Sequence, residues 1–286
     1  MDVRMLRRFY AEEIAAVAHV ESRALVDAFA RVERERFLGP GPWLIGRNSG
    51  RSGLDDYRRT PDADPAHVYH NVLVAIDPAR KLNNGQPSAL AIWMAALEVR
   101  PGDRVVHVGC GVGYYTAILA DLTGPSGHVT GIEIDGGLAE RARANLADQP
   151  WVEALNGDAS SVPAADAIFI NAGCTHPRSE WLDALSDGGR MIVPLTVTLP
   201  DRPAGSGAGV MMKICRAGAT WPAEPLSAVD IFDCVGARDG EENEPLLQLL
   251  RRGRAAVDSI RVLRRTPHEP GPTCLVHTSN YCLSAE

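Results

Sequence analysis

The segment Val105-Val-His-Val-Gly109-Cys-Gly111-Val-Gly113-Tyr-Tyr115 places three glycines at alternate positions between a short strand-like run and a helix-prone one. Val105 to Val108 predicts a strand, Tyr114 to Leu122 a helix, and the glycines the turn that joins them. Such a turn needs residues that adopt left-handed backbone and leave no Cβ in the path of a ligand. Glu133, in Gly131-Ile-Glu-Ile-Asp135, closes the next apolar run. A carboxylate there can accept hydrogen bonds from both hydroxyls of a ribose. Asn156-Gly-Asp158-Ala159 closes the run after that, where a second carboxylate can meet an adenine amino group. Each feature alone is a common loop element. In this order they predict a cofactor that carries a nucleoside.

Working outward, the chain alternates short apolar runs with helical patterns. Strands are expected at Val105–Val108, Val129–Ile134, Val152–Leu155, Asp166–Asn171 and Arg190–Leu195, and helices at Tyr114–Leu122, Gly137–Leu146 and Glu180–Leu185. That rhythm predicts an α/β fold, a Rossmann-like parallel sheet covered on both faces. Upstream, an amphipathic helix is expected over Ala11–Val32, a break at Gly39-Pro-Gly-Pro42, a mobile surface loop over residues 46–67, and a helix from Pro87 to Leu97. Downstream, Leu199–Gly209 reads as a loop, Val210–Cys215 and Ala228–Val235 as strands, and Pro245–Arg252 as a helix. Ser259–Leu263 and Thr273–His277 read as a final strand pair. The expected organisation is an N-terminal helical segment over 1–100, a cofactor-binding core over 101–216 and a C-terminal extension over 217–286.

Composition narrows the function classes. A net charge of −7 argues against non-specific nucleic-acid binding, which relies on clustered positive charge. The first residues are too polar for a signal peptide, and no apolar run approaches membrane-spanning length, so a cytoplasmic protein without membrane or nucleic-acid partners is expected. The six cysteines form no Cys-x-x-Cys pair, and buried, reduced thiols with no metal site are the expectation.

Two cofactor classes compete for the turn. Dinucleotide sites usually carry Gly-x-Gly-x-x-Gly, whose helix N-terminus meets a pyrophosphate. Here the third glycine falls one position early, at Gly113, and the bulky Tyr114 follows it. That pattern resembles class I methyltransferases, whose S-adenosyl-L-methionine has no phosphate to cradle. Further segments resemble one family in particular, the protein-L-isoaspartate O-methyltransferases. They are Val32-Glu-Arg-Glu-Arg-Phe-Leu38, Asn83-Asn-Gly-Gln-Pro87, Ala165-Asp-Ala-Ile-Phe-Ile-Asn-Ala-Gly173 and Leu185-Ser-Asp-Gly-Gly-Arg-Met-Ile-Val-Pro194, in the family's order. The resemblance implies cofactor contacts at Val108, Gly109, Cys110, Gly111, Gly113, Tyr114, Glu133, Asp158, Ala159 and Asn171. It also implies an acceptor that is a protein, peptide or small molecule, methylated at a carboxyl oxygen.

Three departures leave the acceptor open. The family's serine near the transferred methyl aligns with Gly85, so the positions expected beside the methyl are Asn84, Gly85 and Gln86, with Asn83 adjacent. The usual acidic residue before the glycine turn is His107, read as a structural histidine. The family pattern does not account for residues 217–286. A carboxylate nucleophile is already ionised at neutral pH and needs no general base. His70, His107 and His176 are isolated in sequence and no base constellation is evident, so no catalytic residue is assigned. Asn171, Cys174 and His176 are expected on a second rim of the site, Trp43 and Tyr69 in a lid, and Arg238 at the surface. A module that binds the cofactor without catalysis, or a methyltransferase of the same fold with another acceptor, fits the same residues.

Overall fold

The computed structural model describes residues 2–46, 57–200, 204–265 and 267–286. The chain forms two compact units, Met1–Asp103 with Cys110–Asn156, and Arg104–Gly109 with Gly157–Glu286.

The first unit opens with α1 (Val3–Ala18), α2 (Arg23–Arg31) and α3 (Arg34–Leu38). The single helix expected over 11–32 is therefore two. His19 takes a left-handed conformation (φ 51°) and closes α1, and the Ser22 hydroxyl accepts the Leu25 N–H to start α2. The break is made by caps, without glycine or proline, so apolar spacing alone runs through it. Tyr10, Ile14, Leu25 and Phe29 form the buried faces. Four short strands follow, β1 (Leu44–Gly46), β2 (Arg58–Arg59), β3 (Leu73–Asp77) and β4 (Leu82–Asn83), in the antiparallel order β2-β1-β3-β4. Of the loop expected over 46–67, residues 47–56 lie outside the described residues. In the described remainder Thr60 is buried, and its Oγ1 accepts the Trp43 N–H at 2.9 Å. Helix α4 (Pro87–Leu97) starts on a proline, as expected where no N–H is needed.

After β5 (Arg104–Val108), which belongs to the second unit, the chain continues in the first as α5 (Tyr114–Thr123), β6 (His128–Glu133), α6 (Gly136–Asn145) and β7 (Val152–Asn156). Strands β6 and β7 run parallel, with Val129 opposite Val152 and Glu133 opposite Asn156.

The second unit adds β8 (Ala165–Ile170), α7 (Ser179–Ala184), β9 (Leu185–Val197), β10 (Ser206–Cys215) and β11 (Ala223–Phe232). Their order is β11-β10-β9-β8-β5. Strands β5, β8 and β9 are parallel, and β9, β10 and β11 antiparallel. Ala167, Ile168, Phe169 and Ile170 are fully buried, as a strand packed on both faces requires. The expected β-α-β alternation holds. Strand β9 is longer than expected, Leu185–Val197, β10 starts at Ser206 inside the expected Leu199–Gly209 loop, and β11 runs from Ala223 to Phe232 rather than from Ala228 to Val235.

Helices α8 (Gly240–Arg251) and α9 (Arg254–Val257) precede β12 (Val262–Arg264), β13 (Cys274–His277) and β14 (Cys282–Ser284). Helix α8 starts before the expected Pro245 because the Asp239 side chain accepts the Glu241 N–H. The expected final strand pair is instead a three-stranded sheet in which β14 lies between β12 and β13. No helix among the described residues is long and apolar enough to cross a membrane.

Candidate active site

The glycine turn begins where β5 ends. Gly109, Gly111 and Gly113 have φ of 73°, 56° and 92°, all in the left-handed region that side chains rarely adopt. Their surroundings differ. A Cβ on Gly109 would meet the Asn171 carbonyl oxygen at 3.1 Å, and one on Gly113 would meet Leu146 at 2.9 Å. A Cβ on Gly111 meets only Ile76, at 3.8 Å. Gly109 and Gly113 thus close the turn against its neighbours, while Gly111 leaves a bare stretch of backbone.

Glu133 holds that stretch. It is buried at the end of β6, with Oε2 accepting the Gly111 N–H at 2.8 Å and Oε1 the Asp135 N–H at 3.0 Å. Asn156 donates to the carbonyls of Glu133 and Ile134, both at 2.9 Å, and fixes the end of the strand. Asn145 donates to the Val112 carbonyl at 2.9 Å and ties the turn to α6. A buried carboxylate beside an open glycine backbone suits a ribose, whose hydroxyls can donate to an acceptor-only group. These residues fit S-adenosyl-L-methionine.

The remaining expected cofactor contacts divide by where their side chains go. Val108 is buried in β5. Cys110 is buried, and that burial pushes its thiol pKa well up. The Tyr114 side chain is core: its ring lies 4.9 Å from that of Tyr115 and 5.6 Å from that of Phe37, and its hydroxyl is 3.3 Å from that of Tyr10. In the second unit, Asp158 is exposed and its Oδ1 accepts the Ser160 N–H at 2.9 Å; the Ser160 hydroxyl first, and this N–H with it, hold its carboxyl below the usual range. Ala159 is a left-handed non-glycine residue (φ 54°) whose carbonyl accepts the Trp181 indole N–H at 2.9 Å. The Asn171 N–H donates to Val108 O at 2.8 Å, continuing the parallel ladder by one residue.

On the acceptor side, Asn83 Oδ1 accepts the Gly85 N–H at 2.9 Å, forming a tight turn. Gly85 is left-handed (φ 76°), and a Cβ there would stand 2.9 Å from Leu90 Cδ2. Asn84 is buried, and its Oδ1 accepts from the Val74 N–H and from Arg34. Gln86 Nε2 donates to the Asn71 carbonyl and side-chain oxygen at 2.7 and 2.8 Å. Two amide atoms in this loop, Asn84 Nδ2 and Gln86 Oε1, are buried without a hydrogen-bond partner.

Arg34 is the residue that sequence reading missed. It is fully buried and donates to the carbonyls of Val68, His70 and Val72 at 2.6, 2.8 and 2.7 Å, and to Asn84 at 3.3 Å. Its guanidinium also lies 5.4 Å from the Tyr10 ring. The signal was its place in the Val32–Leu38 segment; nothing in sequence shows that an arginine there is buried.

Several rim and lid expectations are corrected. Trp43 and Tyr69 are buried rather than lid residues. Trp43 donates to the Gly39 carbonyl at 2.9 Å, and the Tyr69 hydroxyl donates to Glu35. Cys174 turns inward, its thiol 3.3 Å from the Pro194 carbonyl, whereas His176 is half-buried beside Thr175. Arg238 donates to the carbonyl and hydroxyl of Thr196 and to Thr198. His107 is fully buried and stacked on Phe169, with burial holding its pKa down to about 3. It is a neutral core group. The C-terminal sheet brings together the side chains of His268, Cys274, His277 and Cys282.

The alternating strands and helices, with the glycine turn and its carboxylate, define the class I methyltransferase fold. A family model described as protein-L-isoaspartate(D-aspartate) O-methyltransferase matches residues 60–201. A protein-L-isoaspartate O-methyltransferase of Methylorubrum populi is 30% identical over 227 residues, 76% of this chain and 91% of that one. The chain belongs to the protein-L-isoaspartate O-methyltransferase family. A relative of the same name from Ignicoccus hospitalis is 41% identical over 115 residues, 38% of this chain. The chain spans about half of that relative's length, 54%. A solved Plasmodium falciparum structure, described as a protein-L-isoaspartate O-methyltransferase in complex with S-adenosyl-L-homocysteine, superposes with a TM-score of 0.60. It covers 80% of this chain and 97% of that one at 15% identity, a likeness of fold.

Proposed function

We propose that this chain is an S-adenosyl-L-methionine-dependent methyltransferase that methylates a carboxyl oxygen of a protein or peptide. The observation that carries this reading is the left-handed Gly109–Gly113 turn, open at Gly111 and held by the buried Glu133. The family relatives and the Plasmodium falciparum complex with S-adenosyl-L-homocysteine support the choice of cofactor. When bound, the cofactor supplies a methyl group on a sulfonium, a good leaving group that needs no acid assistance.

The work left to the protein is alignment, since rate comes from holding nucleophile, methyl and sulfur in line. In this reading residues 101–216 carry the cofactor, with Glu133 on the ribose and Asp158 and Asn171 on the adenosyl group. The segment 1–100 carries the loop at Asn83–Gln86 on the acceptor side. A carboxylate acceptor needs donors, and the Asn84 amide, buried with Nδ2 unpartnered, is one such group. Six thiols with no disulfide among them suit action in the reducing cytoplasm.

One observation favours an acceptor other than an isoaspartyl residue. Gly85 brings no hydroxyl, and its backbone has the conformation that a serine adopts poorly. Incubation with radiolabelled S-adenosyl-L-methionine and an isoaspartyl peptide tests both readings. Base-labile label on the peptide establishes carboxyl methylation of that acceptor. Label on another protein or peptide only would assign a different acceptor, and no transfer to any protein or peptide would overturn the proposed activity.

A further inference from the structure

The C-terminal sheet gathers four side chains that the methyl-transfer reading does not use. The ligand atoms of His268, Cys274, His277 and Cys282 all lie within 4.8 Å of one another. The strand register explains how. His277 lies directly opposite Cys282, and Cys274 opposite Ser284. Cys282 and Ser284 are two apart and share a face of β14. Cys274 and His277 are three apart and in a regular strand would face opposite ways. The register shift between Cys274 and Val276 absorbs the odd residue and turns both to the face of Cys282. His268 arrives from the proline- and glycine-rich segment 267–272, its ring edge-on to that of His277 with centroids 4.8 Å apart.

The surroundings are those of a ligand set rather than of a hydrophobic core. The Cys274 thiol lies 3.5 Å from His268 Nε2 and accepts the Gly271 N–H at 3.3 Å, a contact that favours a thiolate. The buried His277 Nδ1 meets no hydrogen-bond partner. An orphaned imidazole nitrogen costs stability unless something fills its place. Donors bound at about 2.0–2.3 Å in a tetrahedron stand about 3.3–3.8 Å from one another, close to the separation already present between Cys274 and His268.

We propose that His268, Cys274, His277 and Cys282 hold one zinc ion in a closed tetrahedral site. Two thiolates and two imidazoles are a borderline-soft set that suits zinc, and four protein ligands leave no position for water or substrate. The role is structural. Binding releases the two thiol protons to solvent, and the two thiolates balance the charge of the ion. The ion fastens β13 to β14 and to the loop carrying His268, and so fixes the residues just before Cys282. Of these, the Tyr281 hydroxyl donates to the Thr175 carbonyl at 3.0 Å, and Asn280 donates to the buried Glu242 at 2.6 Å.

The test is metal analysis of the full-length protein purified without chelator. About one zinc per chain is expected, at least tenfold reduced by Cys274→Ser together with Cys282→Ser. Cobalt exchanged into the wild-type protein is expected to give the strong absorption of a tetrahedral thiolate site. Zinc is expected to protect Cys274 and Cys282 from alkylation, which keeps the test decisive if the double variant does not fold. Any of three results would overturn the site: thiols equally reactive in the zinc-loaded and the chelator-stripped protein, a Cys274–Cys282 disulfide in the purified protein, or a different stoichiometric metal. None of these readouts depends on methyl transfer, so the site and the proposed activity fail separately.

Discussion

Gly85 shows how much a single residue can say about the acceptor. With φ at 76° and Leu90 Cδ2 2.9 Å from a would-be Cβ, the loop is built for glycine. Gly85→Ser is therefore expected to destabilise the protein by about 1–2 kcal/mol rather than restore the family's serine contact. Thermal unfolding would show a fall of roughly 2–4 °C for each kcal/mol lost. An unchanged melting temperature with new activity on isoaspartyl peptide would reverse this reading. His107 makes a pH prediction. Burial holds its folded pKa near 3, whereas the unfolded chain takes up that proton below about pH 6.5. The unfolded state then binds more protons than the folded one, so stability falls as pH drops from about 6.5 toward 3. His107→Phe keeps a ring against Phe169 and removes the proton, and its loss of stability across that window is expected to be shallower. Equal acid sensitivity of the two proteins would contradict it.

At the scale of elements, Arg34 does what no strand or helix does in the first unit. Its fork gathers three carbonyls between Val68 and Val72 and reaches Asn84, fixing the loop that precedes α4. Arg34→Met leaves those carbonyls without their donor and is expected to cost about 3–5 kcal/mol, read by chemical denaturation. Limited proteolysis is expected to cut between residues 69 and 86 in the variant. An intact, equally stable variant would show that the arginine is dispensable. The same scale shows what sequence could and could not reveal. Strands β5, β8 and the second half of β9 were legible because a strand buried on both faces is a nearly continuous apolar run, whereas β7, with only Ala154 buried, was legible from its place in the alternation. Glu133 was legible because the turn fixes its distance along the chain. The α1–α2 break was not, since His19 and Ser22 act through backbone conformation and capping. The C-terminal cluster was not, because a bulge sets its facing and its spacing contains no Cys-x-x-Cys pair. The burial of Tyr114, Trp43 and Tyr69 was hidden for a similar reason: an aromatic residue reads alike in a lid and in a core.

For the molecule as a whole, residues 217–286 are part of the second unit and are held within it by directed polar contacts as well as by packing. Ala223 N–H donates to the Arg261 carbonyl at 2.8 Å, leading from β11 toward β12. Tyr281 is buried, and its hydroxyl donates to the Thr175 carbonyl at 3.0 Å. Tyr281→Phe removes that hydrogen bond and keeps the ring, so a loss of about 1 kcal/mol in equilibrium unfolding is expected. No loss at all would show that the Thr175 carbonyl is satisfied without it.

In the proposed function the Gly109–Gly113 turn, held by Glu133, binds S-adenosyl-L-methionine. Calorimetric titration of S-adenosyl-L-homocysteine into the wild-type protein and Glu133→Ala tests it most directly. Saturable one-to-one binding is expected, weakened about tenfold to hundredfold by the substitution, as the loss of charge-assisted hydrogen bonds implies. Absence of binding to the wild-type protein, or equal affinity in the two, would contradict it.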